Sequence, residues 1–324
     1  MKRPPAAGTS MCLDGGSRDR TFSHVSARAW LAFVALGITW GLPYLFIKIA
    51  VQEISPFDVA WGRITLAALI LLPIAWRRGS LRGLAAHKAA IVAFGLLEFA
   101  IPFCTISMGE RWIPSSVTAI LIATVPLIIA LVSRFFGVHE RLGAMRLIGL
   151  AVGLGGVIAL VGFGTLSGPL AWTGVGCVIV ATVCYAIGAL IIQRHLHAVD
   201  SIGPIAVSLS VASALLLIPA LLSLPRRMPG TAALSSVAIL GLVCTALSML
   251  MMFYLVKNAG ASRASIVTYI NPAVATLLGM GLLDEHLGAW GLAGFGLILF
   301  GSWLATRRSA PVSPSIPASS PASY

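Results

Sequence analysis

The sequence predicts an all-α, polytopic membrane protein with ten transmembrane helices in two inverted five-helix repeats. Three observations predict it. First, 58% of the 324 residues are hydrophobic and 10% are charged, whereas a soluble domain carries ~25% charged residues. Second, apolar runs of roughly 17–25 residues recur along the whole chain, each long enough to cross a hydrocarbon core of ~30 Å. Such runs must be helices, because lipid offers the backbone no hydrogen-bond partners, and the alternation of barrel strands is absent. Third, the second half of the chain repeats motifs of the first.

Ten spans follow in order. The first, 29–51, opens after a polar tail over 1–28 and is too long for a signal-peptide core. The second, 57–76, is led by Pro56 with Arg63 near its start, and the third, 89–109, carries Glu98 in its interior. The fourth, 114–136, holds a central Pro126; the fifth, 143–163, is rich in glycine. After the sixth, 172–193, the seventh and eighth (203–223 and 234–256) rest on hydropathy alone. The ninth, 263–283, holds Pro272, and the tenth, 288–306, is again rich in glycine. Connections of about four to eight residues make consecutive helices antiparallel neighbours. The expected units are therefore a tail over 1–28, a repeat over 29–163, a second over 172–306 and a disordered tail over 307–324.

Charge sets the orientation. With the N-terminus inside, 17 of the 22 Lys and Arg fall in cytoplasmic segments and 3 (Arg111, Arg226, Arg227) in outer loops, with Lys48 and Arg63 inside spans. That bias places both termini in the cytoplasm of a multi-pass cell-membrane protein. The net charge of +12 is thus a topology signal, and nucleic acid is not an expected partner, since no basic face is available. Four of the five Cys lie inside apolar runs and none has metal-ligand spacing, so they read as small buried hydrophobes.

The repeat can be followed residue by residue. The segment "SSVTAILIATVPLIIALVSRFFGVHERLG" aligns with "SRASIVTYINPAVATLLGMGLLDEHLG", placing Pro126 on Pro272 and Glu140 on Glu285. Upstream, "WGLPYLFIKIAV" lies 145 residues before "YAIGALIIQRHL". Five helices per repeat is odd, so the second copy enters the membrane inverted. Inverted repeats mark transporters whose halves exchange access around a central site.

These residues resemble the drug/metabolite transporter superfamily, specifically its EamA-like ten-helix members. The resemblance rests on the opening "ITWGLPYLFIKIAVQEISPFDVAWGRI", the paired prolines, and the acidic loops "VHERLG" and "LDEHLG", and it covers about 29–306. It implies a basket of ten helices carrying small organic solutes, usually outward. In that picture the first, third, fourth, sixth, eighth and ninth helices line the cavity, and the fifth and tenth support it.

Each candidate residue carries two readings. Glu98 sits near the bilayer centre, where a carboxylate costs several kcal/mol unless neutral, paired or wet. It is either a cavity group that binds a cation or carries a coupling proton, or a neutral structural acid. Arg63 lies two turns into its span; it snorkels outward, pairs with Asp58 or Glu98, or touches substrate at the outer rim. Trp40, Tyr44 and Lys48 share one face of the first helix, as a cavity wall with Lys48 at the mouth or as interfacial anchors. Tyr185 is the repeat counterpart of Trp40. Tyr269 and Asn271 belong to the most polar span, and Pro126 and Pro272 remove a backbone donor there and in its counterpart; these mark a substrate site with hinges, or interhelical hydrogen bonding. Gly149 and Gly153 form a GxxxG pair suited to close helix packing.

No nucleotide-binding, metalloprotease or serine-hydrolase motif is present, so neither an enzyme activity, a cofactor nor a metal is expected. His139 and His286 stand beside Glu140 and Glu285 but supply two ligands each. The expected function is a secondary transporter, exporting a small polar or amphipathic metabolite such as an amino acid or organic cation. The alternative is a non-transporting assembly or lipid-handling factor, and a wet cavity at Glu98 and Asn271 separates the two. Expected partners are the solute, the bilayer, a coupling proton and a second copy in a homodimer.

Overall fold

The computed structural model describes residues 27–133, 144–162, 168–196, 202–259 and 267–306. All regular structure among them is helical. The helices are α1 (Ala27–Ala50), α2 (Pro56–Arg77), α3 (Leu84–Gly109), α4 (Ser115–Val132), α5 (Ala144–Gly162), α6 (Ala171–Leu196), α7 (Ile202–Leu222), α8 (Thr231–Lys257), α9 (Val267–Leu282) and α10 (Ala289–Thr306). Seven helices, α1–α4 and α6–α8, are long and apolar enough to cross a membrane; the apolar parts of α5, α9 and α10 are shorter. Residues 1–26 of the first expected tail, all of the second, and Glu140 with His139 lie outside the described residues, while Ala27 and Arg28 already belong to α1.

Local chemistry sets the helix ends. The Ser55 hydroxyl accepts from the Asp58 N–H and donates to its carboxylate, with Pro56 at the first helical position of α2, a cap that needs no further donor there. The fourth helix is broken: its turns end at Ile122 and resume at Val125, so Pro126 opens the second half where its missing N–H costs nothing. By contrast, Pro272 sits inside the continuous α9.

Glycines let backbones meet. A methyl added at Gly149 would stand 2.8 Å from the Gly301 carbonyl oxygen, and one at Gly156 2.8 Å from that of Gly294, which is the α5–α10 contact. Gly37 and Gly41 bring α1 against Ile270, Asn271 and Val274 of α9. Gly109 and Gly174 bring the end of α3 against the start of α6.

The packing scheme carries the repeat. α1 packs on α9 and α6 on α4; α3 packs on α6 and α8 on α1; α2 packs on α7, α4 on α9 and α5 on α10. Exchanging the first five helices for the second five returns these pairs, whereas the α2–α3 and α4–α10 contacts have no comparable counterpart. Of the three described π-helical segments, one, Ile192–Leu196 at the end of α6, has no counterpart in α1, while the other two obey the same exchange: Gly95–Ala100 in α3 and Leu242–Leu247 in α8. Their causes differ. Pro102 cannot donate to the Glu98 carbonyl one turn back. In α8, the Thr245 and Ser248 hydroxyls donate to the carbonyls of Leu240 and Val243, five residues back, at 2.8 and 2.9 Å.

Candidate functional site

The two paired π segments aim polar groups at the middle of the bundle. A widened turn shifts the side chains after it around the helix and frees a carbonyl, which is why such turns gather at functional sites. Glu98 lies in the first segment and Thr245 in the second.

Thr245 is the acceptor for Arg63, whose Nε donates to its hydroxyl at 2.8 Å. The Arg63 guanidinium also lies 3.8 Å over the Phe103 ring and is 8% exposed. It therefore turns inward rather than snorkelling, and it does not pair with Asp58: Ser55 donates to Asp58 Oδ2, and Oδ1 has no hydrogen-bond partner among the described residues. Cation–π and hydroxyl contacts hold it inside because the guanidinium is weakly hydrated and planar. Gly241 allows the approach: a methyl there would lie 3.0 Å from the Arg63 carbonyl oxygen.

From Arg63 the polar groups continue both ways. Tyr185 of α6 is within electrostatic reach of Glu98, Arg63 and Tyr44. Tyr44, buried on α1, shares a side-chain hydrogen bond with Asn271 of α9. Asn271 Oδ1 has no hydrogen-bond partner among the described residues. Glu98 is half-buried, with Oε2 lying 2.7 Å from the place a Cβ would take at Gly188. The order is thus Glu98, Tyr185, Arg63, Tyr44, Asn271, drawn from five helices and both repeats. Trp40 is half-buried against Leu36, Leu255 and Val267, at the α1–α8–α9 contact. The Tyr269 side chain lies outside the described residues.

The bundle end opposite the N-terminus of α1, here the distal end, is tied by polar contacts. Lys48 Nζ donates to the carbonyls of Glu110 (2.6 Å) and Ile113 (2.9 Å). The Glu285 carboxylate accepts from the N–H groups of Ser115 (2.6 Å) and Ser116 (2.9 Å) and from the Ser116 hydroxyl (2.6 Å). It caps α4 from the other repeat, where an anion suits the helix dipole. Glu53 accepts from the Gly230 N–H at 2.6 Å. Beside them a cavity of about 400 Å³ is lined by Lys48, Ile49, Gln52, Glu53, Leu283 and Glu285.

Sequence reasoning passed over three groups. Thr245 lies in an apolar run with no local signal beyond its place 147 residues after Glu98. Glu110 falls one residue past the expected third span, yet it is 0% exposed. Glu285 was read as a loop acid rather than a helix cap. Among the described residues, no group of three or more His, Cys, Asp or Glu could hold a metal ion.

One acid, one guanidinium, two phenols and an amide in a low-dielectric interior can hold a charged or zwitterionic solute, and the acid can carry a proton. The model of the EamA-like transporter family matches residues 27–162 and 172–307. The uncharacterized inner membrane transporter YedA of Escherichia coli (strain K12) is 31% identical over 282 residues, covering 85% of this chain and 89% of that protein. An uncharacterized transporter of Archaeoglobus fulgidus is 27% identical over 291 residues, 87% of this chain and 99% of its own. A solved crystal structure superposes with a TM-score of 0.61 at 19% identity, over 86% of this chain and 96% of that one, which is a likeness of fold.

Proposed function

From the premise that this chain belongs to the EamA-like transporter family, we propose that it exports a small polar or amphipathic metabolite, of the amino-acid or organic-cation class, across the cell membrane. It is a multi-pass membrane protein of a transporter family. Substrate class, direction and site are this proposal's own. In it, Glu98 takes the cationic group of the solute or a proton, Arg63 faces an anionic group, and Tyr44, Tyr185 and Trp40 supply the walls. Asn271 contributes the unpartnered amide oxygen, and Pro126 and Pro272 flank the site as hinges. Both termini are cytoplasmic, so the distal end faces outward.

One observation carries the reading. The polar string crosses the boundary between the two repeats, through Arg63 to Thr245 and Tyr44 to Asn271. A rocking of one repeat against the other must therefore remake these contacts, as alternating access requires. A purely structural bundle has no reason to place a guanidinium and a carboxylate in its middle without pairing them, since such groups are costly there.

The test is flux in proteoliposomes against a panel of metabolites, with and without a pH gradient. Transport of an amino acid or organic cation that is lost in Arg63→Met and Glu98→Ala supports the site. Flux that ignores both substitutions removes it.

A further inference from the structure

Glu110 is a buried carboxylate that the string above does not use. It closes α3 at the distal end and is 0% exposed, and among the described residues neither of its carboxylate oxygens has a hydrogen-bond partner. Lys48, the nearest cation, spends two of its three donors on the backbone carbonyls of Glu110 and Ile113, not on the carboxylate. By comparison, both Glu285 oxygens accept N–H donors, and Asp58 is engaged at Oδ2 by the Ser55 hydroxyl while its Oδ1 has no partner among the described residues. A buried carboxylate with both oxygens orphaned is far costlier than the neutral acid, which needs no charge compensation.

The charged and titratable groups that face Glu110 can be named element by element. Lys48 and Tyr44 approach from α1, Arg63 from α2 and Glu285 from the connection after α9. Cys177 of α6 lies against neighbouring Gly109. Burial raises the Glu110 carboxyl above the usual carboxylate range; Lys48 opposes this, Glu285 reinforces it and Arg63 opposes it. Two of these groups, Lys48 and Glu285, also line the distal cavity. Two others, Tyr44 and Arg63, belong to the central string. Glu110 does not itself line the cavity; it lies behind Lys48 and Glu285, which do, and within electrostatic reach of Tyr44 and Arg63 of the string.

We propose that Glu110 is a proton-exchange site serving the transport site from the distal end, a second protonatable carboxylate besides Glu98. The step is simple: a proton entering from the distal cavity passes Lys48 and Glu285, which line it, and forms an O–H bond with a carboxylate oxygen of Glu110; the local charge falls by one negative unit, and nothing is oxidised or reduced. Release is the reverse. With the proton on, Glu110 is a neutral donor beside Tyr44; with it off, Lys48 can swing from the carbonyls to the carboxylate. This rests on the transporter reading for its purpose but not for its existence, which can be measured without any solute.

The experiment is infrared difference spectroscopy of the full chain in nanodiscs, taken between acidic and alkaline buffer. The wild type should show a protonated-carboxyl C=O band that vanishes in Glu110→Gln, persists in Glu98→Gln, and returns shifted in Glu110→Asp. Glu285→Gln serves as a second variant that keeps Glu110 in place. It removes a like charge, so the midpoint of the Glu110 band must move to lower pH. An unchanged spectrum in a folded Glu110→Gln, or an unmoved midpoint in Glu285→Gln, overturns the proposal. Absence of flux in proteoliposomes with the infrared band intact would instead sink the transport reading alone.

Discussion

Glu98 and Thr245 occupy the fourth position of six-residue π-helical segments in α3 and α8, the third helices of the two repeats. The same widening is produced by a proline in one copy and by two hydroxyls in the other, so the geometry outlasts the chemistry that makes it. Thr245 then holds Arg63, and Tyr185 lies within electrostatic reach of both Arg63 and Glu98.

Thr245→Val should weaken both the Arg63 contact and the π turn. One hydrogen bond to a charged donor is worth about 1.5–3 kcal/mol, and the hydroxyl at this site also serves the Leu240 carbonyl. The expected result is a lower melting temperature and reduced flux, both restored by Thr245→Ser. Unchanged melting in Thr245→Val would show that the hydroxyl holds nothing.

Arg63→Lys is not a conservative change here. Lysine keeps the charge but loses the planar face on Phe103 and the geometry toward Thr245. The stacked contact contributes about 0.5–2 kcal/mol. Melting in detergent should fall by an amount close to that of Arg63→Met, since the ammonium is also harder to bury.

Gly156→Leu should disrupt the α5–α10 pair, where added bulk meets the Gly294 carbonyl and the Ile298 backbone. Overpacking of this kind costs about 1–3 kcal/mol or more. Gly155, whose Cβ would meet nothing, is the control: Gly155→Leu should be tolerated. Thermal melting and expression of the two variants compare them directly.

Orientation follows from the charge bias and is read by cysteine accessibility. Single cysteines at Arg82 and Ala310 should label from the cytoplasmic side and one at Ser167 from outside. Opposite labelling of 82 and 310 would require an odd number of crossings.

Much of this architecture was legible because lipid leaves so few choices. Runs such as 203–223 read as helices from hydropathy alone and form α7 (Ile202–Leu222), since no other backbone structure satisfies itself there. Gly149 and Gly153 announced close packing, and the partner supplying Gly301 is their own repeat counterpart helix. The site was less legible. Arg63 looked like a rim residue because depth along a helix says nothing about which way the side chain turns. What turns it inward is Phe103 and Thr245, 40 and 182 residues away in sequence. Glu110 was hidden for the opposite reason: a residue one step past an apolar run reads as wet, while the packing of α6 on Gly109 buries it.

The central claim is that the polar string from Glu98 to Asn271 moves solute, and Glu98→Gln tests it most directly. Glu98 packs against Gly188, so the amide replaces the acid with little change in shape. The measurement is solute exchange and pH-driven accumulation in proteoliposomes, both normalised to folded protein. The account predicts that Glu98→Gln abolishes accumulation while exchange continues, as a proton-coupling carboxylate requires. Normal exchange together with normal accumulation in a well-folded Glu98→Gln variant would contradict it.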